Sequence, residues 1–178
     1  MKHEIVPIWE QNTYTAPGDD GFEPMLHTYL LDGKSARPVV LILPGGGYGG
    51  TSPREGEPVA LQFTAANYHA AVLHYSCAPR RHPQPLQDVS RAVCILRENA
   101  DAWQIDTQKV VVCGFSAGGH LAGTLGVHWN KGFAWDVTGV SHTLNRPDAL
   151  ILAYPVVTAG RYAHNGSFKN LLGADATE

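Results

Sequence analysis

Four short apolar runs constrain the fold of this chain more than any other sequence feature. They lie at residues 39–43, 70–75, 109–113 and 149–154. Each run is apolar on both faces, which is the pattern of a strand buried in a parallel sheet between covering helices. Because helical patterns lie between the runs, the sequence predicts an α/β fold. We expect a mostly parallel sheet with helices on both faces and right-handed crossovers.

Other predicted elements extend this alternation. We expect strands at 4–9 and 25–31, and helices near 59–67, from Pro85 through Leu96, and at 117–129. The helix after the first run has two candidate starts. Ser52 and Glu55 form a capping box with Pro53 at the first helical position, whereas Pro58 would kink that helix or move its start to Glu57.

Composition narrows the class of protein. Apolar residues make up 44% of the 178 residues and charged residues 16%, which predicts one globular domain over residues 1–178. The formal net charge of −3 argues against nucleic acid or an anionic membrane as a partner. No apolar run is long enough to span a bilayer, and the first residues do not resemble a secretory signal. We therefore expect a cytoplasmic protein.

The three cysteines Cys77, Cys94 and Cys113 are odd in number and widely spaced. Reduced thiols are the simplest interpretation, and a disulfide framework is not expected. The cysteines and histidines show no spacing typical of metal ligands, so we predict neither a metal site nor an organic cofactor.

A serine between glycines follows the third apolar run at residues 114–118, with the sequence Gly-Phe-Ser-Ala-Gly. A serine nucleophile must protrude from the sheet on a sharp strand-to-helix turn, and its neighbours two positions away must be very small. Gly114 and Gly118 meet that requirement, and the following helix directs its positive end toward a developing oxyanion. We predict that Ser116 is a catalytic nucleophile. The alternative is a plain glycine-rich turn with an idle serine.

A second glycine-rich segment, residues 45–50, follows the first apolar run. Acyl transfer passes through a tetrahedral oxyanion that preorganised backbone N–H groups stabilise. We predict that Gly46, Gly47 and Ala117 supply those groups. A phosphate-binding loop would need a following lysine or a dinucleotide fingerprint, and neither is present. A flexible connection stays as the alternative.

Three segments resemble a known group of enzymes. They are Leu-Pro-Gly-Gly-Gly-Tyr at 43–48, Gly-Phe-Ser-Ala-Gly-Gly-His-Leu-Ala at 114–122 and Asp-Ala-Leu-Ile-Leu-Ala-Tyr-Pro-Val at 148–156. Together they resemble bacterial α/β-hydrolases of the esterase/lipase type, and within these the acetylxylan-esterase-like or feruloyl-esterase-like carbohydrate esterases. Many members carry histidine where this chain has Pro44, a difference that leaves the glycine N–H donors unaffected.

The resemblance implies a serine carboxylesterase that cleaves small acyl esters, including acetyl esters of carbohydrates, through an acyl-enzyme on Ser116. It also implies a triad in the chain order serine, aspartate, histidine. The acid should follow the strand at 149–154 and the histidine a later strand, yet no strand pattern comes after residue 154. We therefore predict an α/β-hydrolase fold truncated after that strand, with the acid and the histidine beyond Glu178.

Residues inside the chain offer weaker substitutes for the triad. The candidate histidines and acids are His120, His142, His164, Asp136 and Asp148. Asp148 and His164 keep the right order, but Asp148 precedes its strand and so lies at the wrong end of the sheet. We interpret His120 as a structural, hydrogen-bonded residue and His128 as a helix-end residue.

Some features leave their roles open. Residues 80–82, Arg-Arg-His, follow a strand on the side where ligands bind such sheets, although a solvated basic loop is the favoured interpretation. Tyr48 could line an acyl pocket or pack on the sheet. Two functional alternatives accompany the esterase hypothesis: a truncated, non-catalytic fragment of such an enzyme, and an arylformamidase-like amidase.

Overall fold

Six strands and six α-helices form the part of the chain that the computed structural model describes, residues 1–10, 14 and 20–174. The strands are β1 (Lys2–Pro7), β2 (Met25–Leu30), β3 (Arg37–Leu43), β4 (His69–His74), β5 (Ile105–Phe115) and β6 (Ala149–Ala153). The helices are α1 (Glu57–Ala65), α2 (Gln84–Glu98), α3 (Ala100–Trp103), α4 (Ala117–His128), α5 (Gly132–Trp135) and α6 (Asn165–Leu172).

The strands form one mixed sheet in the order β1-β2-β4-β3-β5-β6. Neighbouring strands among β4, β3, β5 and β6 are parallel. In contrast, β2 is antiparallel to both β4 and β1, so β1 and β2 form an antiparallel edge of the sheet. All carboxyl ends of the parallel strands meet at one edge of the sheet, which is where ligands bind in such folds. The predicted mostly parallel α/β sheet is confirmed.

Successive residues of β3 enter two different cores, which explains why this run is apolar on both faces. Leu41 and Leu43 pack with residues of α2 and α4, whereas Val40 and Ile42 pack on the opposite face against Ala60 of α1. Helices therefore cover both faces, as predicted. The predicted face of α2 is confirmed too, since its apolar positions are all fully buried; these are Leu86, Val89, Val93 and Leu96.

The prediction of a fourth buried strand is wrong for β6. It pairs with β5 on one side, and no described strand pairs with its other side. Leu150, Ile151 and Leu152 are 36%, 42% and 44% exposed. An apolar run shows that a strand is suited to burial, but burial also needs neighbours, and β6 lies at the sheet edge.

Local signals misplaced some helices. A short 3₁₀ turn spans Pro53–Glu55, and Ser52 makes no side-chain capping bond. The second predicted start is confirmed, since α1 begins at Glu57 with Pro58 in its first turn. Neither α3, α5 nor α6 was predicted, because short helices carry little periodic signal.

Candidate active site

Ser116 occupies a strained turn between β5 and α4. Its backbone has φ +51° and ψ −116°, a conformation that residues with a side chain adopt rarely. A Cβ atom on Gly114 would overlap the carbonyl oxygen of Gly118, and a Cβ on Gly118 would overlap the carbonyl oxygen of Leu43. Both glycines are therefore required for the turn to close, and the predicted strand–turn–helix geometry is confirmed.

Backbone hydrogen bonds hold this turn from two sides. The Ser116 N–H donates to Ala153 O at 3.0 Å, and Ser116 O accepts from His120 N at 3.0 Å and Val156 N at 3.2 Å. The Ser116 N–H is thus engaged with the end of β6. Ala117 is the first residue of α4, so its N–H has no acceptor within the helix and can serve a substrate oxyanion.

The glycine segment after β3 passes directly over Ser116. A Cβ on Gly45 would lie 3.0 Å from Ser116 Cβ and 2.9 Å from Phe115 O, so only glycine allows this approach. Gly46 and Gly47 have φ values of +141° and +62°, and Gly49 N donates to Gly46 O at 3.0 Å. This tight turn brings the residues predicted as oxyanion donors to the same edge of the sheet as Ser116.

Glu55 holds this loop, a role that sequence reasoning missed. Its Oε2 accepts from Gly45 N at 2.7 Å, and its Oε1 accepts from Tyr154 OH at 2.8 Å. The carboxylate therefore joins the loop after β3 to the residue after β6. The Gly45 N–H is occupied by this bond, which leaves Gly46 and Gly47 as the loop's candidate oxyanion donors.

Helix α6 supports the other side of the loop. Asn170 Nδ2 donates to Gly47 O at 2.9 Å. A Cβ on Gly47 would lie 3.6 Å from Ser167 Oγ and 3.8 Å from His164 Cε1, so the start of α6 faces this glycine. Side chains from the 3₁₀ turn and from α6, Glu55 and Asn170, thus hold the loop from two sides.

Comparison with known proteins assigns this arrangement to a family. A family model described as BD-FAE matches residues 26–157. The chain belongs to the BD-FAE family. It is 41% identical over 181 residues to endo-1,4-beta-xylanase B of Butyrivibrio fibrisolvens, covering 96% of this chain and 27% of that protein. It is 31% identical to the acetylxylan esterase of Xylanibacter ruminicola, covering 88% of this chain and 30% of the esterase.

Solved structures agree with the BD-FAE assignment. The acetyl ester-xyloside bifunctional hydrolase of Caldicellulosiruptor lactoaceticus superposes with a TM-score of 0.88 at 37% identity. The match covers 98% of this chain and 65% of that one. The predicted α/β-hydrolase fold and the resemblance to acetylxylan-esterase-like proteins are confirmed. The chain spans under a third of the two curated relatives and about two thirds of the solved one.

In this member of the BD-FAE family, buried Tyr48 of the glycine loop pairs with the half-buried His120 of α4. Tyr48 OH lies 2.8 Å from His120 Nδ1, and Tyr48 is only 2% exposed. Burial raises the pKa of Tyr48 and, with a smaller contribution from His82, lowers the pKa of His120. The structural interpretation of His120 is confirmed, and Tyr48 packs inside the protein.

The other candidate histidines of the triad, His142 and His164, make structural contacts. His164 caps α6, where its Nδ1 accepts from Ser167 N at 3.3 Å and lies 2.8 Å from Ser167 Oγ. The ring of His142 contacts Trp135, and His128 lies in the last turn of α4, as predicted. Within residues 1–10, 14 and 20–174, no histidine is hydrogen-bonded to the Ser116 hydroxyl.

The candidate acids lie away from Ser116. Asp148 pairs with Arg97 at 2.8 Å and accepts from Val110 N at 2.8 Å, which places it at the amino end of β6, beside the middle of β5. The expectation that Asp148 lies at the end of the sheet away from the serine is confirmed. Asp136 is exposed at the end of α5.

The prediction of a solvated basic loop at residues 80–82 is wrong for Arg80. Arg80 is 3% exposed, is ion-paired with Asp20, and lies with its guanidinium carbon 4.7 Å from the centre of the Phe22 ring. The loop after β4 is therefore tied to the segment before β2. Two adjacent arginines do not indicate that one of them pairs with a residue distant in sequence, so the sequence alone predicts a solvent-exposed side chain.

The cysteines, possible metal ligands and possible membrane spans complete the description of the predicted features. Cys77, Cys94 and Cys113 are buried and unpaired, and burial raises the pKa of Cys77 to about 12 and that of Cys113 to about 11. The described residues contain no group of three or more side chains suited to a metal ion. None of the helices in the described part of the chain has the length and apolar character needed to cross a bilayer.

Proposed function

We propose that this chain carries the nucleophile and the oxyanion hole of a serine carboxylesterase. The observation that supports this most is the strained conformation of Ser116, directly beneath the backbone of Gly45. Strain at such a position has a steric cost that persists only where the surrounding structure enforces it, and it clusters at catalytic sites. An idle serine in a loop would need neither that conformation nor the close approach of a second glycine segment.

In the proposed reaction, Ser116 Oγ attacks the ester carbonyl carbon and loses its proton to a base. The N–H groups of Gly46, Gly47 and Ala117 stabilise the oxyanion that forms. The bond to the alcohol oxygen then breaks, the base returns the proton to the departing alcohol, and an acyl-enzyme on Ser116 remains. Water hydrolyses that acyl-enzyme in a second, equivalent step.

We propose that the base and its acid lie in sequence beyond Glu178. The histidines near Ser116 in the described residues are engaged in structural contacts, and Asp148 lies at the opposite end of the sheet. The chain also covers only 65% of the solved hydrolase that it matches. A histidine reaching the serine from that additional length would complete the triad geometry.

The substrate class follows from the relatives. One is named an acetylxylan esterase and another an acetyl ester-xyloside bifunctional hydrolase. We therefore propose small acyl esters as substrates, with acetyl groups on carbohydrates as the favoured case. A cytoplasmic location and the absence of a nucleic-acid partner stay predictions from composition.

The hydrolysis of 4-nitrophenyl acetate and acetylated xylan tests the proposal. Two proteins are compared: the 178-residue chain, and the product of the full reading frame that contains it. We expect the full-frame product to hydrolyse both esters and its Ser116→Ala variant to hydrolyse neither. A folded full-frame product without esterase activity would favour the non-catalytic alternative, and activity that survives Ser116→Ala would exclude Ser116 as the nucleophile.

A further inference from the structure

A cavity of about 430 Å³ opens beside the antiparallel edge of the sheet, apart from Ser116. Its walls include Pro7, Trp9, Glu10, Tyr14, Glu23 and Pro24. This volume lies within the range of small-molecule sites, which combine apolar and aromatic walls with a few polar groups. The proposed ester chemistry uses none of these residues.

Two aromatic rings of the cavity are fixed by hydrogen bonds from their polar atoms. Trp9 Nε1 donates to Asp88 Oδ1 at 2.8 Å, and Tyr14 OH lies 2.6 Å from Ser76 Oγ. Ser76 N in turn donates to Asp88 Oδ2 at 2.8 Å, and both Ser76 and Asp88 are fully buried. The polar atoms of the rings therefore point into the protein, and their partly exposed apolar bodies form rigid walls.

Polar groups lie next to these aromatic walls. Glu23 contributes a carboxylate to the lining and is exposed to solvent. A carboxylate accepts several hydrogen bonds and can bind two neighbouring hydroxyl groups at once. A pyranose ring presents the complementary surface, with C–H bonds on its faces and hydroxyls around its edge. Aromatic faces with nearby carboxylates fit such a ring.

The cavity lies at the edge of the sheet that also carries Ser116. Met25, which contributes to the cavity wall, pairs with His74 at the carboxyl end of β4. Ser76 follows that end by two residues, and Ala78 N donates to Tyr48 O at 2.7 Å beside the glycine loop. Three strand spacings separate β2 from β5, a distance of about 14 Å. A short oligosaccharide spans that distance, whereas an acetyl group does not.

We propose that this cavity is a binding subsite for a neutral pyranose unit of the carbohydrate whose ester is cleaved at Ser116. The inference rests on the proposed function and extends it to the alcohol side of the substrate. The subsite holds a sugar unit distant from the ester, so it contributes to binding of the carbohydrate and takes no part in the attack on the carbonyl. A cationic amine is the competing ligand, because carboxylates and aromatic faces also attract cations.

Calorimetric titration of the Ser116→Ala chain with xylotriose tests the subsite without any hydrolysis. We expect saturable binding that Tyr14→Ala weakens about tenfold or more and Glu23→Gln weakens several-fold. Tyr14→Phe keeps the ring and loses only the bond to Ser76, so it should bind better than Tyr14→Ala. Asp101→Asn removes an exposed carboxylate outside the cavity and should leave binding unchanged.

The possible results separate this inference from the proposed function. Xylotriose binding that depends on Tyr14 and Glu23 supports the subsite even if Ser116 proves to have no esterase role. Esterase activity without such binding overturns the subsite alone. Binding of choline in place of xylotriose, lost in Glu23→Gln, would show that the cavity takes a cation and would also overturn the inference.

Discussion

The central strands and the β6 edge of this sheet differ sharply in how the chain surrounds them. Leu41 and Ile42 of β3 are fully buried, whereas Ile151 and Leu152 of β6 are 42% and 44% exposed. The central strands carry the glycine loop and the serine turn, and the edge strand leads toward the place where the resemblance puts the acid. This difference teaches that neighbouring strands and helices enclose the strands that carry the glycine loop and the serine turn, whereas β6 lies at an open edge of the sheet.

The largest expected effect on stability comes from a substitution in the serine turn itself. In Gly118→Ala, the new methyl group would overlap the backbone oxygen of Leu43, which cannot move without displacing β3. We expect a loss of more than about 3 kcal/mol in the free energy of unfolding. Urea denaturation followed by circular dichroism measures this loss.

Gly123→Ala in the same helix is the matched control. Its added methyl group would meet only Leu152 Cδ1, at 3.9 Å. Alanine favours helix over glycine by up to about 1 kcal/mol, so this variant should equal or exceed the parent in stability. Equal destabilisation by both substitutions would mean that the turn is not specially crowded.

A leucine-to-alanine pair compares the centre and the edge directly. Leu41→Ala removes a fully buried side chain from β3 and should cost about 2–5 kcal/mol. Leu152→Ala acts on a half-exposed side chain and should cost less than about 1 kcal/mol. Denaturant midpoints of the two variants, measured at equal protein concentration, provide the comparison. Similar losses of stability in both variants would contradict the difference between the buried strand β3 and the exposed strand β6.

Glu55 offers a smaller test, since it connects the two regions. Glu55→Ala removes the acceptor for Gly45 N and Tyr154 OH, so the loop above Ser116 should loosen. Removing a charged hydrogen-bonding partner costs about 1.5–3 kcal/mol. We expect slower ester hydrolysis by the full-frame product at an unchanged pH optimum. Glu55→Gln keeps an acceptor oxygen and should restore most of the rate; failure of both variants alike would show that the charge, and not the geometry, matters.

The smallest expected effect is a pH dependence of the protein's stability that arises from His120 in α4. Burial lowers the pKa of His120 in the folded state below its usual value of 6.5, so the folded protein binds fewer protons there than the unfolded chain. This contribution is fully present above pH 6.5 and declines as the pH falls toward the lowered value. Unfolding midpoints measured from pH 7.5 to 5 should fall less in His120→Gln than in the parent. A parallel fall in both proteins would assign the acid sensitivity to other groups.

Much of the fold could be predicted because its signals are local. The buried strands and the glycine spacing around Ser116 each lie within a few consecutive residues. Glu55 could not be assigned in this way, because its partners are Gly45 and Tyr154, and a capping-box pattern points only to the adjacent helix. Arg80 was misjudged for the same reason, as its partner Asp20 lies far away in sequence. Contacts between distant segments carry no local pattern.

Exposure is the other property that local patterns do not determine. The run at 149–154 is as apolar as the run at 39–43, yet only the second lies between two strands and two helical layers. The residue pattern describes suitability for burial, and the position in the sheet decides whether burial occurs. Because strand order depends on pairing between distant segments, a single sequence leaves it open.

Covalent labelling tests most directly the central claim that Ser116 is a nucleophile in an oxyanion site. A fluorophosphonate probe is incubated with the full-frame product, and the modified residue is located by mass spectrometry after proteolysis. The account predicts a single adduct on Ser116, which is absent in Ser116→Ala and slower to form in Glu55→Ala. An adduct on another serine, or a folded and catalytically active protein with Ser116 unmodified, would contradict it.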